Sequence, residues 1–241
     1  MLRKAETISE SRVGRAVPYL GLLWLYASAM VDLLQAKRPD GRVLWNAPAL
    51  TALCRPLQDA FIALYYFGIE VPAAEEAEFR ELLLERHAAF KRRDLLERSD
   101  QSVPKIRSEL ADASKHYDAV QEKFAAHPFL GKLSGGVVND LMARPEKFIA
   151  EPLHEVWARA GMSGEQYDVL FRYLSQYTHA TPYAVAQLAY HQADHEDGAA
   201  NMNVPIGLAI TCTIVALKHI GTLHEDLDAL LPEAFHKFMK G

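Results

Sequence analysis

Apolar residues recur three and four positions apart along most of the chain, which is the spacing of one face of an α-helix. The strict alternation that predicts β-strands is nearly absent. Glycine, proline and small polar clusters divide the pattern into helical segments. The predicted helices cover about 9–37, 46–68, 73–98, 104–127, 163–178 and 182–195, and two more follow a break at 198–203. This pattern predicts an all-α multi-helix bundle that forms a single domain over 1–241.

Residues 128–164 are the least regular part of the chain. The glycines and prolines of this region are Pro128, Gly131, Gly135, Gly136, Pro145, Pro152, Gly161 and Gly164. Helices between such residues can only be short. The pattern therefore predicts a loop-rich region, which is either a functional loop or lid, or a long connection.

Two strongly apolar runs, 17–31 and 204–217, raise the question of a signal peptide or a membrane span. The first run follows Arg12 and Arg15 and contains an A-x-A spacing, which is the outline of a signal peptide. However, the segment before it also carries glutamates, and both runs are shorter than the roughly 18 residues of a membrane span. We interpret both runs as buried core helices and expect a cytoplasmic protein without a membrane partner.

Composition and charge narrow the class of protein. Half of the residues are hydrophobic and 24% are charged, which is typical of a globular chain. The formal net charge of -5 disfavours broad nucleic-acid binding, although a local basic groove could still hold RNA. Cys54 and Cys212 both lie in apolar helical patterns without zinc-type spacing, so we expect buried free thiols.

The stretch RYLSQYTH, residues 172–179, carries a polar stripe when it is read as a helix. At 100° per residue, one side of this helix is apolar and the opposite side is polar. The apolar side comprises Val169, Leu170, Tyr173, Leu174 and Tyr177, and the polar side comprises Asp168, Arg172, Ser175 and His179. The polar stripe faces either solvent, or a groove between helices or a partner subunit.

Arginine and histidine on one helix can cleave RNA without a metal ion. The imidazole moves protons near neutral pH, and the guanidinium stabilises negative charge on the phosphoryl group. Arg172 and His179 lie about 10 Å apart along the helix axis. A substrate phosphate could bridge them, or two such helices of a homodimer could combine their pairs.

RYLSQYTH also resembles the R-x(4–6)-H motif found on a late helix in the higher-eukaryote-and-prokaryote nucleotide-binding (HEPN) superfamily. This superfamily is all-helical and includes dimeric, metal-independent ribonucleases. The resemblance therefore implies RNA as a partner, a homodimer, and roles for Arg172 and His179 in cleavage. Tyr173 stands where the superfamily usually carries a polar residue after the arginine.

A second resemblance covers roughly 45–185. A bacterial all-helical family of unknown function combines an early helix bearing R-x-x-x-E with a later helix reading Y-x-x-L-S-x-x-x-H. In this chain RPLQD supplies Arg55 and Asp59, with aspartate in place of glutamate, and YLSQYTH supplies Leu174, Ser175 and His179. The family carries no established reaction, so this resemblance implies a fold.

Arg55 and Asp59 are spaced i, i+4 and can pair on their own helix. Leu50, Cys54, Leu57, Phe61 and Leu64 share one face of that helix, and Arg55, Asp59, Ile62 and Tyr66 share roughly the opposite face. Because Ile62 and Tyr66 lie beside the pair, we expect that face to be covered. The pair is then either a structural lock or part of a polar site in which it meets His179.

His191 and His195 are spaced i, i+4, which allows two imidazoles to bind one metal ion. Acidic residues at 194, 196 and 197 lie nearby, and His179 is a candidate for a further ligand. The alternative is a polar helix end, where histidine interacts favourably with the helix dipole.

The favoured hypothesis is RNA or nucleotide-phosphate processing at a helical or dimer interface, by a metal-independent ribonuclease or a phosphodiesterase-like enzyme. In it, His179 is the general acid and base, Arg172 or Arg55 stabilises the phosphate, and Ser175 and Asp59 orient the other groups. Two alternatives stay open: a non-enzymatic helical binding module, and a metal-dependent hydrolase that uses His191 and His195. The pattern indicates no cofactor, and it leaves open whether the chain is an enzyme.

Overall fold

The computed structural model describes residues 2–36, 47–179, 181–182, 184 and 196–223. Regular structure in these residues is entirely helical, without a strand, which confirms the predicted all-α fold. The α-helices are α1 (Leu2–Gln35), α2 (Ala47–Leu64), α3 (Ala74–Glu97), α4 (Pro104–Ala125), α5 (Gly135–Ala143), α6 (Leu153–Arg159), α7 (Gly164–Thr178) and α8 (Glu196–Leu223). A π-helical segment, Tyr65–Ile69, extends α2, and a 3₁₀ segment, Pro128–Lys132, follows α4.

Most of the observed helices agree with the predicted ones, and the helices within 128–164 are short, as predicted. The predicted break at 198–203 is wrong, because α8 runs through it. Glycine and asparagine in a helix cost up to about 1 kcal/mol each, and α8 offsets that cost with a continuous buried face. The buried face comprises Met202, Leu208, Ala209, Cys212, Ala216 and Ile220. Nearly all of the predicted helix 182–195 lies outside the described residues.

The described residues fall into two compact units. Unit 1 contains the described parts of 1–70 and 154–241, and unit 2 contains 71–153. Unit 2 is therefore inserted, in sequence, between the two segments of unit 1. The single domain over 1–241 stays a prediction.

In unit 1, α2 is the central helix and packs against α1, α7 and α8. The face predicted to be apolar is completely buried, and it comprises Leu50, Cys54, Leu57, Phe61 and Leu64. Ile62 and Tyr66, on roughly the opposite face, are also buried, so α2 is covered on both sides as predicted. Each buried leucine or phenylalanine contributes about 1.5–3 kcal/mol relative to an exposed position. Helix α2 therefore anchors unit 1.

The π-helical segment approaches α1 very closely. A Cβ atom on Gly68 would lie 2.7 Å from the Cβ atom of Ala16 and 2.9 Å from its Cα atom. A residue with a side chain cannot occupy this position without a shift of one element, so glycine is required here. Next to it, Tyr19 of α1 stacks on Phe67 with ring centroids 5.9 Å apart.

The interpretation of the two apolar runs as buried core helices holds for only one face of each helix, which in α1 includes the buried Leu23 and Met30. In α1, Trp24 and Leu25 are 69% and 63% exposed, and in α8 the side chain of Ile210 is also exposed. By length and composition alone, Ala16–Gln35 and Met202–Gly221 are long and apolar enough to cross a membrane. An apolar run does not show which side of a helix is covered, and in both helices part of the apolar surface is exposed.

Unit 2 contains the packed pair of helices α3 and α4. Its core cluster comprises Phe79, Leu83, Phe124, Leu141 and Ala150. Arg86 is completely buried beside this cluster. Its Nε donates to Oε1 of Gln121 at 2.6 Å, its Nη1 donates to the carbonyl of Leu141 at 2.9 Å, and its guanidinium lies over the Phe124 ring. Burial lowers the pKa of Arg86, but arginine keeps its charge in proteins.

Cys54 and Cys212 are buried free thiols, as predicted. The Cys54 thiol donates to the carbonyl of Pro205 at 3.1 Å, and burial raises its pKa to about 12. Burial also raises the pKa of Cys212. Thiols with raised pKa values carry almost no thiolate at neutral pH, so neither cysteine is suited to be a nucleophile.

Candidate functional site

Arg55 and Asp59 form an ion pair on α2. Nη1 of Arg55 donates to Oδ1 of Asp59 at 2.5 Å, in the i, i+4 geometry that the sequence predicts. The Arg55 side chain is 15% exposed and the Asp59 side chain is 45% exposed. The cation is therefore covered, while the carboxylate is partly open to solvent.

Helix α7 covers the cation. The Cζ atom of Arg55 lies 3.8 Å from the centroid of the Phe171 ring, which is a cation–π contact. Nη1 of Arg55 also donates to Oε1 of Gln58 at 3.4 Å. Arg55 is thus held by two groups of its own helix and by one ring of α7.

Two buried polar atoms of this cluster have no hydrogen-bond partner among the described residues. They are Nε2 of Gln58, on α2, and the hydroxyl of Tyr167, on α7. A buried polar group left unsatisfied costs about 1–3 kcal/mol. A buried water molecule that bridged these atoms would therefore be held firmly.

Electrostatics in the cluster favour the protonated form of its acids. Burial raises the pKa of Asp59, and this effect exceeds the lowering by the neighbouring Arg55. Burial also raises the pKa of the Tyr167 hydroxyl, and Arg55 opposes that rise. Tyr167 therefore keeps its proton at neutral pH and can act as a hydrogen-bond donor. Asp59 keeps its proton to a higher pH than a free aspartate does.

The predicted apolar side of α7 is correct in part. Leu174 and Tyr177 are buried, but Val169 is 69% exposed, so its assignment to the covered side is wrong. The buried side includes Tyr167 instead, because α2 approaches from the direction of Tyr167 and Phe171. Val169 lies about 200° around the helix from Tyr167 and therefore faces outward.

The polar stripe of α7 is largely open to solvent. The side chains of Asp168, Arg172 and His179 are exposed, and Ser175 is half-buried. Oγ of Ser175 donates to the carbonyl of Phe171 at 2.7 Å, within its own helix. His179 follows the last turn of α7, where its backbone N–H donates to the carbonyl of Ser175 at 3.1 Å.

The structure brings Arg55 and Asp59 together, as predicted, and connects them with α7 through Phe171. None of the hydrogen bonds and ion pairs described for Arg55 and Asp59 involves Ser175 or His179. On α7, the groups that meet the pair are aromatic rather than polar.

Gln58, Tyr167 and Phe171 are the members of the cluster that sequence reasoning missed. One signal for Phe171 exists in the sequence. It stands three residues before Leu174, at the aromatic position that opens the Y-x-x-L-S-x-x-x-H motif. Gln58 and Tyr167 carry no comparable signal, because their role depends on burial.

The predicted metal ligands His191 and His195 lie outside the described residues. Within the part of the chain that the structure describes, no three histidine, cysteine, aspartate or glutamate side chains lie close enough together to hold a metal ion. In the comparisons with known proteins, no family model, no curated protein and no solved structure matches this chain.

Proposed function

We propose that this protein binds and processes the phosphate groups of RNA or of a nucleotide at the edge where α2 meets α7, without a metal ion. The observation that carries the proposal is the position of the Arg55 guanidinium over Phe171. Arg172, Ser175 and His179 lie about 100°, 40° and 80° around α7 from Phe171, all on the same side of it. The helix whose Phe171 ring covers the guanidinium therefore also carries a cationic, a hydroxyl and an imidazole group at its exposed or half-buried positions.

Arg55 retains the donors that such a ligand needs. A guanidinium has five N–H donors, and the hydrogen bonds described for Arg55 all use Nη1. Charge-assisted bonds from arginine to phosphate are strong, and partial burial strengthens them further. Nε2 of Gln58 and the hydroxyl of Tyr167 are further donors of this cluster, but both atoms are buried, so the guanidinium is the group of the cluster that we expect to meet the phosphate.

The distance between Arg172 and His179 indicates the size of the ligand. Arg172 and His179 are seven residues apart, or about 10 Å along the helix axis. This distance exceeds the size of one phosphate group, so an extended ligand such as an RNA backbone or a nucleoside polyphosphate suits it better than a single phosphate.

In RNA cleavage, His179 would accept the proton of a ribose 2′-hydroxyl as that oxygen attacks the adjacent phosphorus. The bond to the 5′-oxygen breaks, and that oxygen takes up a proton. Arg172 and Arg55 would stabilise the negative charge of the phosphoryl oxygens during this step. Imidazole suits the first role because it exchanges protons near neutral pH.

The test is cleavage of a labelled single-stranded RNA and of a nucleotide panel in the presence of a metal chelator. His179→Ala should reduce the rate by about 100-fold or more, while the melting temperature stays close to that of the wild type. His116→Ala is the matched control, because His116 is an exposed histidine of α4, in unit 2. Full activity of His179→Ala, or an inactive wild type on every substrate, would overturn the proposal.

A second candidate is a non-enzymatic helical binding module in which Arg55 is a structural lock. The observation that favours it is the engagement of Arg55 by Asp59, Gln58 and Phe171 together. It predicts that Arg55→Ala lowers the melting temperature and that His179→Ala changes no activity. The cleavage assay therefore separates the two candidates.

A further inference from the structure

The outer surface of unit 1 carries a long apolar groove between α1 and α8. The groove encloses about 670 Å³. Its walls include Trp24, Ala27 and Val31 of α1, and Ala209, Ile210 and Ile214 of α8. A surface of this kind on a folded unit marks a place where another apolar surface binds.

Large and small side chains alternate along the rim of the groove. On α1, the exposed Val17, Trp24 and Val31 are seven residues apart and so lie on one face. Gly21 lies between the first two, and a Cβ atom placed on it would have no neighbour within 4 Å. Gly207 on α8 is equally open. Ridges separated by gaps of this kind allow a second pair of helices to interdigitate.

Helices α1 and α8 run antiparallel. Cys54 of α2 contacts both Met30, late in α1, and Pro205, early in α8. At the other end, the π-helical segment contacts Ala16, in the first half of α1, and His219, late in α8. The beginning of one helix therefore lies beside the end of the other.

This direction places two opposite charges toward opposite ends of the helix pair: Asp32 lines the groove, and Lys218 directly follows the lining residue Leu217. Asp32 is the charged residue of Ala16–Gln35, and Lys218 is the charged residue of Met202–Gly221. Both are exposed. A two-fold axis perpendicular to the helices exchanges the two ends, so it would bring Asp32 of each copy to Lys218 of the other.

The area of the face is close to what a second copy would need. Twenty helical residues span about 30 Å, and two helices side by side are about 20 Å wide. The flat outline is therefore about 600 Å², and protruding side chains increase the accessible area above it. A stable interface needs about 800 Å² per partner.

We infer that this α1–α8 face is the surface through which two copies of the chain form a two-fold symmetric dimer. Trp24 of each copy lies over the groove of its partner, and the apolar centre is closed at both ends by the Asp32–Lys218 pairs. The inference is independent of the proposed reaction at α2 and α7, because it uses other residues and another face of unit 1.

The test is the mass in solution of the full chain, purified without detergent and measured by sedimentation and light scattering. The wild type should have twice the chain mass of 27.0 kDa. Trp24→Glu, and independently Ile210→Glu, should weaken the dimer by at least about 30-fold, which is the loss expected for one central anchor. Leu95→Glu is the matched control, because Leu95 is 68% exposed in unit 2, and it should leave the dimer intact.

A charge exchange tests the symmetry. Asp32→Lys and Lys218→Asp should each weaken the dimer, and the double variant should restore it. A monomeric wild type at about 100 μM would overturn the inference. So would a dimer that both glutamate variants leave unchanged, or equal dimer dissociation constants for the single and double charge variants. Recovery of the wild type only in detergent or with lipid vesicles would overturn it as well, because the face would then bind a bilayer.

Discussion

The guanidinium carbon of Arg55 lies 3.8 Å from the centroid of the Phe171 ring, while Nη1 of the same group donates to Asp59 at 2.5 Å. The charge of Arg55 is thus held both by its own helix and by the π face of α7. The packing of α2 against α7 and the chemistry of the candidate site therefore depend on the same side chain.

This relationship predicts energetic coupling between the two residues. Arg55→Met and Phe171→Leu should each destabilise the fold, and the double variant should lose less than the sum of the two. The coupling should be about 1 kcal/mol, as expected for a cation–π contact that is largely covered. Urea unfolding of the four proteins measures it. Arg172→Met serves as the control for removing an exposed arginine of α7, and additive losses would show that the ring does not hold the cation.

The raised pKa of Asp59 predicts how stability depends on pH. Burial favours the protonated carboxyl group in the folded state. The stabilisation of the fold by this protonated group is therefore fully present below the ordinary pKa of 3.8. The contribution is lost as the pH rises through the higher pKa of the folded state. Asp59→Asn, which stays neutral, should therefore gain stability relative to the wild type as the pH rises from about 3 to 7.

Unfolding free energies of both proteins, measured at several pH values, test the sign of this effect. If the unfolding free energy of the wild type instead increases relative to that of Asp59→Asn as the pH rises, the attraction of Arg55 outweighs burial. The carboxylate is then a stabilising partner of Arg55.

The close approach at Gly68 predicts a steric cost. Gly68→Ala would place a methyl group 2.7 Å from the Cβ atom of Ala16, so the variant should lose about 1–3 kcal/mol of unfolding free energy. Adding Ala16→Gly should restore part of the loss. Gly136→Ala is the control, because its position in α5 is open, and it should be neutral or stabilising by up to about 1 kcal/mol. An equal response at Gly68 and Gly136 would contradict the steric account.

Arg86 predicts a large effect in unit 2. Arg86→Met removes the donors to the half-buried Gln121 and to the buried carbonyl of Leu141, and should cost about 2–4 kcal/mol. Arg98→Met is the control, because the Arg98 side chain is 78% exposed, and it should change stability by less than about 0.5 kcal/mol. Thermal and urea unfolding provide the comparison, and similar losses at both positions would argue against a structural role for Arg86.

The sequence by itself determined the features that depend on local geometry. The all-α fold follows from the helical period of apolar residues, and the Arg55–Asp59 pair follows from the i, i+4 spacing alone. The buried face of α2 and the buried thiols could be predicted for the same reason, since a well-defined apolar stripe must face a core.

Only the tertiary structure decided which side of each helix is covered and by what. Phe171, rather than His179, covers Arg55, because the direction from which α2 meets α7 is set by packing over the whole of unit 1. The period of α1 cannot show that Trp24 is open, because a helix that is apolar nearly all round contains no contrast between its faces. Both the covering of Arg55 and the exposure of Trp24 depend on contacts between residues far apart in sequence, which a local pattern does not contain.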